Sequence, residues 1–154
     1  MILTTTVSIA GAVQVAGRIV ETGLYRLDFL GFDPKKVISG SGFAPVMPIH
    51  PDSGVTLARE EDSLIYGGVT VYTVDHESDE ELKELITKAP ATTSSGYGKT
   101  SYEILKEVNF DWSKLDPAFF APGYISVTNK RTGNVFKAGR INPEVIKQSL
   151  GVKG

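Results

Sequence analysis

An arginine and a glutamate near the amino-terminal end, Arg18 and Glu21, are spaced for joint chemistry. Because they stand three residues apart, their side chains would share one face of a helix and could pair. A carboxylate can act as a general base, whereas a guanidinium does not deprotonate in proteins. From the spacing alone, an exposed ion pair of little energetic consequence is the simpler interpretation.

The helix that would carry this pair is predicted from Arg18 to Leu30. Its apolar residues recur at spacings of four, three and three and form one stripe: Val20, Leu24, Leu27 and Leu30. Gly31 is suited to ending the helix, and Pro34 prevents its continuation. Glycine inside a helix costs about 1 kcal/mol relative to alanine, so we expect a closely packed neighbour at Gly23.

Two aromatic residues, Tyr25 and Phe29, continue the face of Arg18 and Glu21. They lie opposite the apolar stripe of the same predicted helix. A purely solvated face seldom carries two aromatic side chains, so we expect this face to make a second contact. A pocket, a domain interface and a subunit interface are all compatible with that expectation.

Four segments are predicted as strands because their apolar residues alternate or cluster between turn residues: 7–16, 68–74, 124–128 and 135–138. The last two flank a short loop that contains Gly133, so they are predicted to form a hairpin. The segment 40–51 is punctuated by glycine and proline and is predicted as a loop.

Three further helices are predicted from their start signals. One begins at Ser78, whose capping box is completed by Glu81, another spans 99–108, and the third begins at Asn142, a cap residue followed by proline. Together with the strands, this order predicts an α/β fold of mixed α+β layers. We expect a sheet with packed helices in a single domain over residues 1–154.

Composition excludes several classes of protein. A net charge of −2 gives no electrostatic basis for binding nucleic acid or an anionic membrane. The sequence has no cysteine, which excludes disulfides, thiolate nucleophiles and zinc–thiolate sites and fits a reducing cytoplasm. No apolar run reaches the roughly 18 residues that a membrane-spanning helix needs. We therefore expect a cytoplasmic protein that binds neither nucleic acid nor membrane.

The segment from Gly96 to Thr100 invites comparison with a phosphate-binding loop, because it contains Gly-Lys-Thr. The full motif needs another glycine five residues before the glycine of Gly-Lys-Thr, and this chain has Thr93 at that position. The segment before it is also a charged helix rather than a buried strand. An ordinary loop is therefore the favoured interpretation.

The two histidines, His50 and His76, are the remaining candidates for metal ligands. A catalytic metal needs about three converging protein ligands, which two isolated histidines do not supply. We therefore predict no metal site and interpret both histidines as solvated loop residues.

Several short motifs resemble, in order, those of the methenyltetrahydromethanopterin cyclohydrolases. Residues 16–25 read Ala-Gly-Arg-Ile-Val-Glu-Thr-Gly-Leu-Tyr and are similar to a Gly-Arg-x-Val-Glu-Thr-Gly stretch of that family. The likeness continues through further segments: 42–49, 64–70, 97–99, 119–122, 132–139 and 149–151. It covers essentially the whole chain, but family members are considerably longer. The chain therefore resembles the C-terminal half of a two-domain cyclohydrolase.

The resemblance implies a reaction and a site. The family reversibly hydrolyses the cationic 5,10-methenyl bridge of tetrahydromethanopterin to the 5-formyl compound, in one-carbon metabolism and methanogenesis. The pterin derivative is the substrate, and no metal or redox cofactor is implied. Glu21 is implied as the catalytic carboxylate that takes a proton from the attacking water and could later deliver a proton to the departing nitrogen. Arg18 is implied as the residue that orients Glu21.

The resemblance also implies partners. The family places its pocket between two domains, so this chain is expected to need an N-terminal half. Self-association into a homo-oligomer is expected because the family is oligomeric. Two alternatives to the enzyme are a non-catalytic domain that binds pterins and a purely structural oligomerisation domain.

Overall fold

A computed structural model of the chain describes residues 4–152. These residues form six helices, four strands and several short 3₁₀ turns. The helices are α1 (Ile9–Gly17), α2 (Ile19–Phe29), α3 (Ser53–Gly67), α4 (Asp79–Thr87), α5 (Ser101–Glu107) and α6 (Pro143–Ser149). The strands are β1 (Val37–Phe43), β2 (Val69–Val74), β3 (Tyr124–Asn129) and β4 (Val135–Gly139).

The strands form one sheet in the order β1-β2-β3-β4. β1 and β2 are antiparallel, β2 and β3 are parallel, and β3 and β4 are antiparallel. The predicted hairpin is therefore confirmed, with Gly133 at a φ of 78° in its loop. A parallel pair needs a long crossover connection, and α4 and α5 supply it between β2 and β3. The predicted α/β layer fold is confirmed.

One face of the sheet carries a large hydrophobic core. α2 packs on β1 and β2, and α4 packs on β3 and β4. Buried side chains of these elements meet in one cluster: Leu27, Phe32, Tyr72, Val74, Leu82, Ile86, Ala89, Ile125 and Val127. Because the apolar stripe of α2 faces this core, the opposite face of α2, which carries Glu21, is turned away from the sheet.

A second core joins α3, α5 and α6 beside the sheet. Its buried members include Ala58, Tyr66, Leu105, Phe119 and Val145. Asp62 ties α3 to the start of α5, because its Oδ1 accepts hydrogen bonds from the Ser101 amide at 2.8 Å and the Ser101 hydroxyl at 2.6 Å. α3 is thus fixed independently of α2.

The strand predicted at 7–16 is wrong, because this segment forms α1. Ser8 caps the helix with its hydroxyl, which accepts a hydrogen bond from the Gly11 amide at 3.0 Å. The helix packs against α3 and buries small residues: Gly11, Ala12 and Ala16. The bulky residues Ile9 and Val13 are exposed. The alternation of bulky and small residues therefore predicts a strand wrongly, because in the helix the small residues make the buried contact and the bulky ones are exposed.

The loop predicted at 40–51 is wrong at its beginning, because β1 extends to Phe43. Gly40 lies over Tyr72, where a Cβ would come within 2.9 Å of ring carbons, and a Cβ at Gly42 would come within 3.1 Å of Ile19. These glycines mark a close approach of α2 to an edge strand rather than a turn. The remaining residues, 44–51, form neither helix nor strand.

No apolar pattern predicts α3, although it is the longest helix that the structure describes. Its start is conventional, since the Asp52 carboxylate accepts hydrogen bonds from the amides of Gly54 and Val55. Its interior buries polar side chains, among them Glu60 and Asp62. Charged residues on the buried side break the apolar stripe on which helix prediction depends.

The predicted helix that carries Arg18 and Glu21 is confirmed as α2, and Gly31 follows it at a φ of 91°. The expected close neighbour of Gly23 is also found. A Cβ at Gly23 would collide with the Tyr72 hydroxyl, which donates a hydrogen bond to the Val20 carbonyl at 2.6 Å.

The remaining predicted helices are confirmed as α4, α5 and α6. The capping box at Ser78 is only half formed. Its hydroxyl accepts a hydrogen bond from the Glu81 amide at 3.2 Å, but its own amide donates to His76 Nδ1. A complete box begins α5, between Thr100 and Glu103.

Candidate active site

A cleft of about 470 Å³ opens between α2 and α3. The outward face of α2 and the residue before it line one wall with four side chains: Arg18, Glu21, Thr22 and Tyr25. The facing wall is one side of α3, where three side chains are spaced by four and three residues: Leu57, Glu61 and Leu64. Trp112 and Phe120 border the remaining side. The sequence predicts a second contact for the face of α2 that carries Glu21 and Tyr25. Of the three kinds of contact compatible with that prediction, the structure shows a pocket on this face.

The structure brings Arg18 and Glu21 together at this cleft. Arg18 Nη2 lies 3.4 Å from Glu21 Oε1, and the two side chains are 50% and 67% exposed. Arg18 stands at the junction of α1 and α2, and Glu21 lies in the first turn of α2. The positive end of a helix favours a carboxylate there. An ion pair this exposed adds little to stability, so its position beside the cleft is its main property.

Glu61 is a third ionisable group in the cleft, and the sequence patterns do not single it out. It is half-buried near the middle of α3. Burial raises the pKa of Glu61 to about 7, the neighbouring carboxylates of Glu60 and Asp62 add to that rise, and the Arg18 guanidinium opposes it. The sequence does contain one indication of Glu61. It stands four residues after Leu57 and three before Leu64, at a position where an apolar helical stripe would carry an apolar residue.

Aromatic rings form one end of the cleft. The Phe120 ring meets the Tyr25 ring edge-on at 6.2 Å and stacks with the Trp112 ring at 6.1 Å, measured between centroids. Tyr25 and Trp112 are both exposed, so a ligand can reach them. Aromatic faces stack with flat ligands and attract cations. Carboxyl groups beside these rings suit a flat ligand that carries positive charge.

Asp62 supports α3 from behind the cleft. Burial raises its pKa to about 6, and the hydrogen bonds from Ser101 partly oppose that rise. Asp62 Oδ2 is buried without a hydrogen-bond partner in the described part of the chain. The helix that presents Glu61 is therefore anchored by a carboxyl group in a poorly solvated place.

The other residues singled out in the sequence lie away from the cleft. His50 Nδ1 accepts a hydrogen bond from the Asp52 amide at 3.0 Å, and the His76 ring stacks on Phe32 at 5.8 Å. Lys99, in the glycine-bearing loop, pairs with Glu107 at 2.6 Å. Over residues 4–152, no three histidine, aspartate or glutamate side chains are grouped to hold a metal ion.

The fold and the cleft define an α/β domain suited to acid–base chemistry on a flat cationic ligand. The sequence model of the cyclohydrolase (MCH) family matches residues 1–150, and the chain belongs to that family.

Relatives in methanogens carry the name methenyltetrahydromethanopterin cyclohydrolase. The chain is 42% identical to the protein of that name from Methanococcoides burtonii over 148 residues, which are 96% of this chain and 46% of the relative. It is 38% identical to the one from Methanothermobacter marburgensis, with the same coverage. The protein from Methanocaldococcus jannaschii is 36% identical over 98% of this chain and 47% of its own length. The chain thus spans about half the length of these relatives.

None of the helices within residues 4–152 is both long enough and apolar enough to cross a membrane.

Proposed function

We propose that this chain is the half of a methenyltetrahydromethanopterin cyclohydrolase that carries the catalytic carboxylate. The reaction is the reversible hydrolysis of 5,10-methenyltetrahydromethanopterin to 5-formyltetrahydromethanopterin in the cytoplasm. The observation that carries the proposal is the Arg18–Glu21 pair at an aromatic-walled cleft, in a chain whose relatives bear the name of that enzyme.

The residue types in the cleft suit this chemistry. Water must attack a carbon that shares positive charge with two nitrogens, so a carboxylate can both take the water proton and stabilise the cation. Support for giving this role to Glu21 comes from its place in the cleft, where Arg18 Nη2 lies 3.4 Å from Glu21 Oε1. Tyr25 and Trp112 offer ring surfaces against which a flat pterin can stack. Because the substrate carbon is already cationic, the proposed reaction needs no metal or redox cofactor.

The test replaces the proposed base in the chain combined with the N-terminal half of a relative, and follows the loss of the methenyl absorption. Glu21→Gln should lower the rate about 100-fold, in line with the usual contribution of a general base. Glu84→Gln is the matched control, because Glu84 is exposed on α4, away from the cleft. Turnover by the Glu21 variant at the rate of the control would remove Glu21 from this role.

We also propose that the cleft is completed by an N-terminal half, on a separate chain or on a preceding segment. Support comes from the relatives, of which this chain covers 46%. Further support is that Tyr25 and Phe29 are exposed on the cleft side of α2. Mixing the chain with the N-terminal half of a relative should yield turnover that neither part has alone. Activity of this chain by itself would contradict the proposed requirement.

A non-catalytic pterin-binding domain is the second candidate. It is favoured by the exposure of the Glu21 carboxylate, which is 67% exposed and so poorly shielded from water. Titration of the methenyl substrate onto the chain separates the two functions. Binding without turnover, in the presence of the N-terminal half, would favour the second candidate.

A further inference from the structure

Two glutamates face the cleft from opposite walls, and their surroundings differ. Glu21 lies at the mouth, 67% exposed and paired with Arg18. Glu61 is half-buried on α3, between Leu57 and Leu64. Within residues 4–152, no cation lies within 4.0 Å of the Glu61 carboxyl group. The two groups therefore differ in burial and in their nearest charged neighbours.

The charges around Glu61 come from three places. Arg18 faces it from the junction of α1 and α2, Glu21 shares the cleft from α2, and Glu60 and Asp62 adjoin it on α3. Burial is the largest influence and raises the pKa of Glu61 to about 7, so a large fraction of Glu61 is protonated at neutral pH. A carboxyl group that burial keeps protonated, beside a more exposed one, is a common basis for assigning an acid.

We infer that Glu61 is the proton donor of this cleft and gives its proton to the nitrogen that leaves the hydrolysed carbon. The inference rests on the proposed function and adds to it a second carboxyl group with a separate role. Glu21 acts as the base toward water, and Glu61 acts as the acid toward nitrogen. Both groups reach into one cleft, which is what a substrate carbon bonded to both water and nitrogen requires.

The two steps balance in atoms and charge. In the first, the water oxygen bonds to the methenyl carbon, its proton passes to the Glu21 carboxylate, and the electron pair of the C=N bond returns to nitrogen. In the second, the other C–N bond breaks and its electron pair stays on nitrogen, which takes the Glu61 proton. The hydroxyl becomes the formyl carbonyl and returns its proton to Glu61. Glu21 releases one proton to solvent, which matches conversion of a cation to a neutral product.

The first experiment measures the ionisation of Glu61 in the chain without any ligand. Glutamate carboxyl carbons are labelled with ¹³C and titrated by NMR, and the resonance lost in Glu61→Gln is assigned to Glu61. Glu60→Gln identifies the other glutamate whose pKa burial raises, and Glu84→Gln serves as the exposed control. We expect the assigned resonance to titrate at about pH 7 and to move to higher pH in Arg18→Gln. Titration below about pH 5.5, in the range of ordinary carboxyl groups, would overturn the inference.

The second experiment measures hydrolysis against pH with the chain combined with its N-terminal half. The wild-type rate should fall as pH rises through about 7, because only protonated Glu61 can donate. Glu61→Gln should lower the rate about 100-fold and lose this alkaline limb. Glu61→Asp restores a carboxyl proton donor, so it should recover part of the rate together with the fall in rate at alkaline pH. A merely structural role of Glu61 would not move the alkaline limb.

The outcomes separate this inference from the proposed function. If wild-type turnover depends on Glu21 while Glu61→Gln keeps both its rate and its alkaline limb, the inference fails and the proposed function stands. If no combination hydrolyses the methenyl substrate, the proposed function fails and the proton transfer fails with it. Thermal melting of Glu61→Gln against Glu84→Gln checks that a lost rate does not reflect unfolding.

Discussion

Glu21 and Glu61 are the same residue type in the same cleft, yet they differ in how far they are buried. Glu21 is 67% exposed and paired with a guanidinium. Glu61 is half-buried among Leu57, Leu64 and the cleft aromatics, and burial raises its pKa to about 7. At the scale of single residues, the proposed roles of base and acid rest on the surroundings of the two carboxyl groups rather than on the side-chain type. Arg18 is the residue common to both, because it pairs with one and lowers the pKa of the other.

Substitution of Arg18 separates its positioning of Glu21 from its charge. Arg18→Lys keeps the positive charge but loses the planar guanidinium, whose paired N–H donors orient a carboxylate. We expect turnover to fall by up to about 100-fold, because a small misplacement of a reacting group is costly. The alkaline limb of the pH profile should stay in place in Arg18→Lys but move to higher pH in Arg18→Gln. Wild-type turnover by Arg18→Lys in a stopped-flow assay would contradict the positioning role.

The buried carboxyl groups also predict how stability depends on pH. Burial raises the pKa of Glu61 from 4.5 to about 7 and that of Asp62 from 3.8 to about 6. Over that range the folded chain binds more protons than the unfolded chain, so the contribution of these groups is full at low pH and is lost as pH rises. Glu61 is about half ionised at pH 7, so the loss is complete, and the contribution constant, only at pH values well above its pKa.

Glu61→Gln tests this pH dependence, because the amide cannot ionise. Relative to wild type, the variant should gain about 1–2 kcal/mol in free energy of unfolding at about pH 8 and little at about pH 4.5, after allowance for partial exposure. Urea denaturation at several pH values gives the difference, and Glu84→Gln controls for the substitution itself. A gain that is the same at every pH would contradict the assignment.

α2 meets the sheet more closely than its apolar stripe alone would allow. Gly23 lies against the Tyr72 hydroxyl, and Gly40 of β1 lies against the Tyr72 ring. The same hydroxyl donates a hydrogen bond to the Val20 carbonyl at 2.6 Å, so Tyr72 fixes the helix that carries the Arg18–Glu21 pair. At the scale of elements, the site is positioned by one tyrosine packed between glycines of a helix and an edge strand.

Gly23→Ala is expected to destabilise the fold although alanine favours a helix. The new methyl group would collide with the Tyr72 hydroxyl, and overpacking of this kind costs about 1–3 kcal/mol, which exceeds the gain of about 1 kcal/mol in helix propensity. Gly17→Ala is the matched control, because no atom lies within 4 Å of its added Cβ. Adding Tyr72→Phe should relieve part of the loss. Equal free energies of unfolding for the two alanine variants would contradict this packing.

The whole molecule leaves apolar side chains exposed on the sheet face opposite α2 and α4. Cross-strand partners share a face, and Ser41 pairs with Val71 while Thr128 pairs with Val135. Val71, Val135 and Phe43 are exposed there. Lys137 is exposed on the same face, since its partner Ser126 pairs with Val71, so these apolar side chains do not form one continuous patch. A charge placed on this face tests whether the expected self-association uses it.

If this face is the contact surface, Val71→Lys should weaken self-association, because it replaces an exposed apolar side chain by a second charge beside Lys137. Sedimentation velocity should show a shift toward the monomer in Val71→Lys. Gln14→Lys, on the exposed side of α1, should leave the mass distribution of wild type unchanged. Identical distributions for both variants would place any self-association elsewhere on the molecule.

The sequence by itself determines the elements whose pattern is local. α2 follows from its apolar stripe and Gly31, α4 from the Ser78 cap, and the hairpin from two apolar runs around Gly133. Arg18 and Glu21 are also predicted as neighbours, because a spacing of three residues brings side chains together on any helix.

Only the tertiary structure decides what depends on residues distant in the chain. α1 is a helix because its small residues pack on α3, and β1 is a strand because its glycines pack under α2. α3 buries the charged residues Glu60 and Asp62, so its sequence lacks the apolar stripe from which a helix is predicted. Glu61 joins the cleft because α3 faces α2 across 40 residues of sequence, and its pKa rises because that packing removes it from water. Burial depends on how distant segments pack in the folded chain, so the spacing of residues within one segment does not predict it.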